Sequence, residues 1–343
     1  MRSNTHSPLV TVLMAVYNGE KYLREAIESI LDQTYTNFEF LIINDGSSDK
    51  TEEIILSYND KRIRYIKNEQ NLKLIASLNK GLDLAKGKYI ARMDADDISM
   101  PKRLEKQVEF MERNTDHILV ASCVSFIPDE EIYGTQSLSS DEIKYKLLSN
   151  NCIYHTSVML RKSMLNGYYY SNHYLHVEDY EFWTRLIGIG KFCVSDDKLV
   201  KYRVHSESIC QKNEEFQYEQ VKVVRRNLIK TFIPNITDED FDFYNRYLSE
   251  MTNDYYKKLN EIFQYNGNAI WKLNKLIDLI ECNRSSHMGI NSKDLIHYLR
   301  GLFFNNFVES RRMPKKYIFK YIFSKCFRLK QFSKKTIITW LIH

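Results

Sequence analysis

The chain has 343 residues, 43% of them hydrophobic and 27% charged, which excludes a disordered polymer and leaves room for one large domain or two ordinary ones. Its six cysteines include no C-x-x-C pair, so neither a structural zinc site nor a disulfide framework is expected, and a reducing compartment fits best. The formal charge of +5 is unevenly placed: residues 311–343 hold ten Lys or Arg and no acid, which leaves the remainder at −5.

Residues 1–8 are polar and contain no secretory hydrophobic segment, and no later stretch is long and apolar enough to span a bilayer, so the chain is expected in the cytoplasm. Val10 to Val16 is an apolar β-type run, and Lys21 to Gln33 places Leu23, Ile27, Ile30 and Leu31 on one helical face. Phe38 to Ile43 reads as a second strand and Lys50 to Tyr58 as a second helix, with Asp49 and Glu52 spaced as a capping box. Ile63 to Lys67, Leu74 to Ala85 and Tyr89 to Met93 continue as strand, helix and strand. This alternation predicts a largely parallel sheet covered on both faces, with ligands gathering at the carboxyl ends of its strands, where Asn18, Asp45 and Asp94 fall. Pro101 opens a helix over Lys102 to Arg113, Ile118 to Ser125 is a further strand, and the sheet region is expected to close near His205. Beyond it, Val221 to Phe232, Asp240 to Phe263 and Ala269 to Ile280 read as helices.

Three segments carry candidate chemistry. Arg92-Met93-Asp94-Ala95-Asp96-Asp97 crowds three carboxylates just after a strand, which is unfavourable unless a cation relieves it. Such a loop either holds a hard divalent ion against nucleotide phosphates or is an acidic surface turn. Asp45, at the end of the second strand, either accepts a hydrogen bond from a base edge such as uracil N3–H or closes an Asx turn, with Gly46 permitting the bend. Glu178 and Asp179 open an amphipathic run to Ile187 and by themselves read as first-turn acids favoured by the helix dipole. His155 reads equally as a ligand contact or a structural hydrogen-bonding residue, and Tyr168, Tyr169 and Tyr170 as sugar-stacking rings or as packing.

In combination, Val10 to Leu23, Asn44 to Thr51, Arg92 to Asp97, His155 to Met159, Glu178 to Trp183 and Tyr202 to Ser206 resemble family 2 glycosyltransferases of the GT-A fold, an α/β Rossmann-like mixed sheet. The resemblance covers about residues 1–210, with a nucleotide-sugar half to about 100 and an acceptor half from 101; it leaves a helical extension over 211–310 and the basic tail over 311–343. It implies that Ala15, Tyr17, Glu20 and Asp45 bind the nucleoside of a UDP-sugar, with Asp45 on uracil, Asp94 on the ribose and Arg92 positioning the nucleotide. Asp96, with His205, would hold Mn²⁺ or Mg²⁺, Asp179 would be the base, and His155, Glu178 and Trp183 would lie near donor or acceptor sugar. Ala15 stands where many relatives have proline, and no Gln-x-x-Arg-Trp motif follows Asp179, which points away from processive synthesis.

The expected activity is therefore transfer of one hexosyl or N-acetylhexosaminyl unit, with inversion, to a hydroxyl of a surface glycan, free or lipid-linked. The tail mixes its lysines with Tyr317, Phe319, Tyr321, Phe323, Phe327, Phe332 and Trp340, a composition suited to the anionic inner face of a membrane rather than to nucleic acid. Two competing classes remain: a nucleotide-sugar sensor without turnover, and a phosphohydrolase using Asp94 as nucleophile with Asp196 and Asp197 as later metal ligands. A nicotinamide dehydrogenase lacks its G-x-G-x-x-G turn after the first strand.

Overall fold

In a computed structural model of the chain, residues 9–128, 136–205, 214–252, 275–281, 286–287 and 290–303 are described. They form two compact units, Met1–Leu147 with Asn151–Val224, and Leu148–Asn150 with Arg225–His343. The first contains strands β1 (Val10–Val16), β2 (Phe38–Asn44), β3 (Ile63–Lys67), β4 (Tyr89–Arg92), β5 (Ile98–Ser99), β6 (His117–Ile127), β7 (Met159–Arg161) and β8 (Lys191–Arg203). Its helices are α1 (Leu23–Leu31), α2 (Thr51–Leu56), α3 (Leu74–Leu84), α4 (Arg103–Arg113), α5 (Ser140–Leu147), α6 (Lys162–Leu165) and α7 (Glu178–Leu186).

β2 is buried along its whole length and β1 almost so, as continuous apolar runs require when both faces of a sheet are covered. Val10, Val12, Met14, Phe40, Ile42, Tyr89 and Ala91 pack against Leu23, Ile27 and Ile30 of α1 and Leu104, Val108 and Met111 of α4. Each such side chain contributes roughly 1.5–3 kcal/mol by leaving water.

The strand order is β3-β2-β1-β4-β7-β6-β8-β5. The first four strands are mutually parallel, as expected, and their carboxyl ends lie together. The expectation of a largely parallel sheet fails beyond β4, because β7 enters between β4 and β6 antiparallel to both, and β5 pairs antiparallel with β8. This reversal shapes the site. It brings the 3₁₀ turn His155–Ser157, just before β7, beside the end of β4, where Arg92 N donates to Val158 O at 2.9 Å. The pairing of Ile98 with Lys201 likewise carries the end of β8 alongside the acidic loop between β4 and β5.

Two local expectations change. Glu52 does not reach back to close a capping box; its carboxylate accepts from Tyr65 Oη at 2.9 Å and pairs with Lys67, since β3 offers charged and phenolic donors within reach. Pro101 and Lys102 form a turn, and the helix begins at Arg103.

The second unit is helical: residues 225–230 end the helix Glu214–Lys230, followed by Asp238–Thr252, residues 275–281 and Ser292–Phe303, with a short hairpin of Ser286–His287 and Ile290–Asn291. The helix expected from Val221 starts earlier, at Glu214, and the one expected from Asp240 starts at Asp238. A reciprocal pair caps the latter: Thr237 Oγ1 donates to Asp240 Oδ2 at 2.7 Å while Asp240 N donates to Thr237 Oγ1 at 3.2 Å. Most of the predicted helix from Ala269, the far end of that from Asp240 and the tail 311–343 lie outside the described residues. Among those described, no helix is long and apolar enough to cross a membrane.

Candidate active site

The carboxyl ends of β1, β2 and β3 are latched into one surface by polar side chains of their loops. Asn18, at φ 51°, donates its N–H to Ser47 Oγ at 2.9 Å and accepts at Oδ1 from Ser48 N at 2.9 Å. Gly19 N donates to Thr51 Oγ1 at 2.8 Å, and Glu20 and the Asp49–Lys50 turn exchange a reciprocal pair at 3.0 Å. Glu20, expected at the nucleoside, thus commits a carboxylate oxygen to holding the two loops together. Ala15 is half-buried near the end of β1, and Tyr17 is 50% exposed beside it.

Asp45 is buried, and its Oδ1 accepts from Asn68 Nδ2 at 2.7 Å and from Leu72 N at 2.9 Å. Asn68 is itself fixed by donating to Ser77 Oγ at 2.8 Å and accepting from Lys80 Nζ at 2.7 Å. One carboxylate oxygen is thereby committed, while Oδ2 carries no hydrogen bond to the described residues. The bend depends on Gly46 at φ 71°, where a Cβ would meet the Gln70 carbonyl carbon at 2.7 Å. Asn68 was not anticipated, although its position at the carboxyl end of the third strand marks it by the same rule that selected Asp45.

In the acidic loop the three carboxylates of Asp94, Asp96 and Asp97 each place an oxygen within 4.8 Å of the others. Asp94 pairs with the buried guanidinium of Arg92. Asp96 Oδ2 lies 2.9 Å from His205 Nε2, and the Asp96 carbonyl accepts from Arg203 Nε at 2.8 Å. Asp97 is 1% exposed and accepts from Arg203 N at 2.8 Å. Burial, then the charges of Asp94 and Asp96, holds the Asp97 carboxyl well above the usual carboxylate range; burial also raises Asp94, with Arg92 opposing. Clustered hard oxygen donors that repel one another are the donor set a Mg²⁺ or Mn²⁺ ion satisfies, so these residues fit such an ion. Tyr22 completes this corner, its ring 4.4 Å beneath the Arg203 guanidinium and 5.1 Å from the His205 ring. Arg103 lies below the loop with no exposed surface and donates to the carbonyl of Arg92 at 2.6 Å; desolvation, then the Arg92 charge, lowers it to about 9. Neither residue stood out in the sequence.

The expected base begins α7. Asp179 accepts from Asn151 Nδ2 at 2.7 Å and from its neighbour Tyr180 N at 2.6 Å. Burial pushes its carboxyl up to about 6, against those hydrogen bonds. Burial and then the Asp179 charge push Glu178 up to about 7. His155 Nε2 lies 2.8 Å from Tyr170 Oη, and burial, then the Arg92 charge, depresses its pKa well below that of a free histidine. Trp183 has 0% exposure and stands edge-on to His155 at 5.7 Å and to Phe192 at 6.4 Å, packed in the core beside the site. The Arg92 charge opposes the burial that raises Asp94, Glu178 and Asp179 and adds to the burial that lowers His155. Asp197 pairs instead with Lys106, and neither it nor Asp196 belongs to the acidic cluster, which removes the support for the phosphohydrolase reading.

This arrangement of parallel half, inserted antiparallel strand and acidic loop has solved counterparts. Staphylococcus aureus TarS 1-349 in complex with UDP-GlcNAc matches over 89% of this chain and 88% of its own, with a TM-score of 0.57 at 18% identity, a likeness of fold. The architecture is thus GT-A. The model described as Glycosyl transferase family 2 matches residues 11–168. MJ1057 of Methanocaldococcus jannaschii, an uncharacterized glycosyltransferase, is 40% identical over 251 residues, 69% of this chain and 86% of its own. WfgD of Escherichia coli, a UDP-Glc:alpha-D-GlcNAc-diphosphoundecaprenol beta-1,3-glucosyltransferase, is 31% identical over 204 residues, 59% of this chain and 79% of its own. The chain belongs to glycosyl transferase family 2.

Proposed function

We propose that the protein transfers a single hexosyl or N-acetylhexosaminyl unit from a UDP-sugar to a hydroxyl of a lipid-linked glycan, with inversion, in surface-polysaccharide synthesis. The observation that carries this reading is that the turn His155–Ser157 lies against both the acidic loop and α7, because a leaving group and an acceptor base must face each other across one anomeric carbon. Thr156 Oγ1 accepts from Asp94 N at 3.3 Å, and the His155 ring stands 5.7 Å from that of Trp183 on α7, whose first turn carries Asp179. Asp45 Oδ2 accepts from uracil N3–H, Asp94 and Arg92 hold the ribose and nucleotide, and Asp96 with His205 provides the ligands for Mn²⁺ or Mg²⁺. The bound cation supplies charge stabilisation to the departing diphosphate. Asp179 takes the proton from the acceptor hydroxyl as its oxygen attacks opposite the diphosphate, so an α-linked donor yields a β-linked product. His155 and Glu178 line the sugar side of the same site. The named reaction of WfgD, and the UDP-GlcNAc held by TarS, support the choice of donor and acceptor class.

The tail supports peripheral attachment to the cytoplasmic membrane face, where a lipid-linked acceptor resides. Asp179→Asn keeps the hydrogen-bonding shape but cannot take a proton. It is expected to lower acceptor-dependent UDP release by about 10³-fold while UDP affinity stays within about twofold. Undiminished release sinks the assignment of the base; binding of UDP-sugars with no acceptor-dependent release by the unaltered protein favours the sensor.

A further inference from the structure

We propose that Asn79 is a positioning residue that locks the donor-binding helix α3 to the segment feeding the base-bearing helix α7, acting through the backbone of Tyr170. The inference rests on the reading of Asp179 as base. One side chain satisfies both main-chain groups of a residue 91 positions away: Asn79 Nδ2 donates to Tyr170 O at 2.9 Å, and Tyr170 N donates to Asn79 Oδ1 at 2.9 Å. A side-chain amide carries its donor and its acceptor on separate atoms of one rigid plane, which suits it to bond both main-chain groups of one residue. One turn further along α3, Asp83 accepts from Tyr169 Oη.

α3 belongs to the donor side at its other end. The loop before it supplies Leu72 N to Asp45, and Ser77 and Lys80 on the helix fix Asn68, which donates to the same carboxylate oxygen. Tyr170 belongs to the acceptor side: its hydroxyl meets His155 Nε2 at 2.8 Å and its ring lies 4.3 Å from that of Phe182 on α7. Arg185 of α7 donates to Tyr169 O at 2.7 Å while paired with Glu181.

The segment between is bracketed by bends, with Asn166 at φ 40° and Gly167 at φ 85° before it and His176 at φ 65° after it, two residues ahead of Glu178. Left-handed residues on either side turn the chain sharply into and out of the segment, and apolar packing of Tyr170 fixes its depth without fixing its register. The two hydrogen bonds from Asn79 tie its backbone directly to α3, beside the side-chain contacts of Tyr169 and Tyr170. Asn79 thereby sets where the start of α7, and with it Asp179, stands relative to the donor.

Asn79→Leu removes both bonds at nearly constant volume, and Asn79→Asp keeps the acceptor while setting a carboxylate against the Tyr170 carbonyl. In the full chain, both are expected to speed amide hydrogen exchange over residues 168–179 while UDP affinity by calorimetry stays within about twofold. The turnover number for UDP release from UDP-GlcNAc or UDP-glucose, with Mn²⁺ and an alkyl diphosphate-linked GlcNAc as acceptor, should fall roughly 10- to 100-fold. Unchanged exchange in both variants, or UDP affinity falling in step with turnover, overturns the proposal. Asp179→Asn assayed alongside separates the two readings: if it turns over normally, the base assignment fails, whereas an inactive Asp179→Asn beside fully active Asn79 variants refutes the coupling alone.

Discussion

At the scale of single residues, the two adjacent acids at the start of α7 give a pH signature of definite sign. Glu178 and Asp179 titrate as a pair whose values, about 7 and about 6, are raised chiefly by burial. A base must be ionised, so kcat/KM should climb as pH rises through 6 to 7 and fall away below it, measured as initial rates of UDP release. Stability runs the opposite way. A carboxyl raised in the folded state favours folding when protonated, a contribution fully present below its unfolded pKa of about 4.3 and lost as pH rises through the folded value. Glu178→Gln should therefore flatten the decline in urea midpoint across that interval. Asp45 gives a second prediction, because its Oδ1 is committed to Asn68 and Leu72. In Asp45→Asn the carbonyl keeps those donors and the amide nitrogen faces the base, a donor opposite uracil N3–H but a complement to the acceptor N3 of cytosine. UDP affinity should drop about tenfold or more, and CDP should become the tighter ligand by calorimetry. Asp45, Asp96, Asp179 and His205 could be singled out from the sequence because they lie in segments that resemble the family's motifs. Asn68, Asn79 and Arg103 were not, since an amide or guanidinium acquires its role only from partners far away in the chain.

At the scale of elements, the periodicities placed β1 to β4 and α1 to α3 to within a residue or two and missed the two-residue β5, because each apolar stripe is a local property of the chain and two residues carry no stripe. Ends and caps were less legible. Whether Glu52 caps its own helix or binds Tyr65 and Lys67 depends on which strand lies alongside, a competition that spacing does not reveal. The loop after β2 offers the corresponding test. Gly46→Ala places a Cβ at φ 71° and 2.7 Å from the Gln70 carbonyl carbon, against the loop that delivers Leu72 N to Asp45. Destabilisation of about 1–2 kcal/mol is expected. A lower thermal midpoint and weakened UDP binding should appear together, since the strained contact lies against the loop that fixes Asp45, the proposed uracil acceptor.

At the scale of the whole molecule, charge is divided between a body at −5 and a tail carrying ten cations among aromatic side chains. Removing 311–343 should abolish sedimentation with phosphatidylserine-containing vesicles. Raising salt from 0.1 to 0.5 M should weaken binding of the full chain, each basic residue near such a surface being worth about 1 kcal/mol. Equal sedimentation of both forms would remove the tail from this role. The sequence by itself determined the α/β class and the elements β1 to β4 and α1 to α3 of the nucleotide half, because periodicity is written within short stretches, and its motifs marked out the family. Only the tertiary structure decided that β7 inserts antiparallel between β4 and β6, that Trp183 is buried, and that Asn79 bonds both main-chain groups of Tyr170. Those outcomes depend on burial and on hydrogen bonds between residues as many as 91 positions apart, which exist only once the sheet has closed.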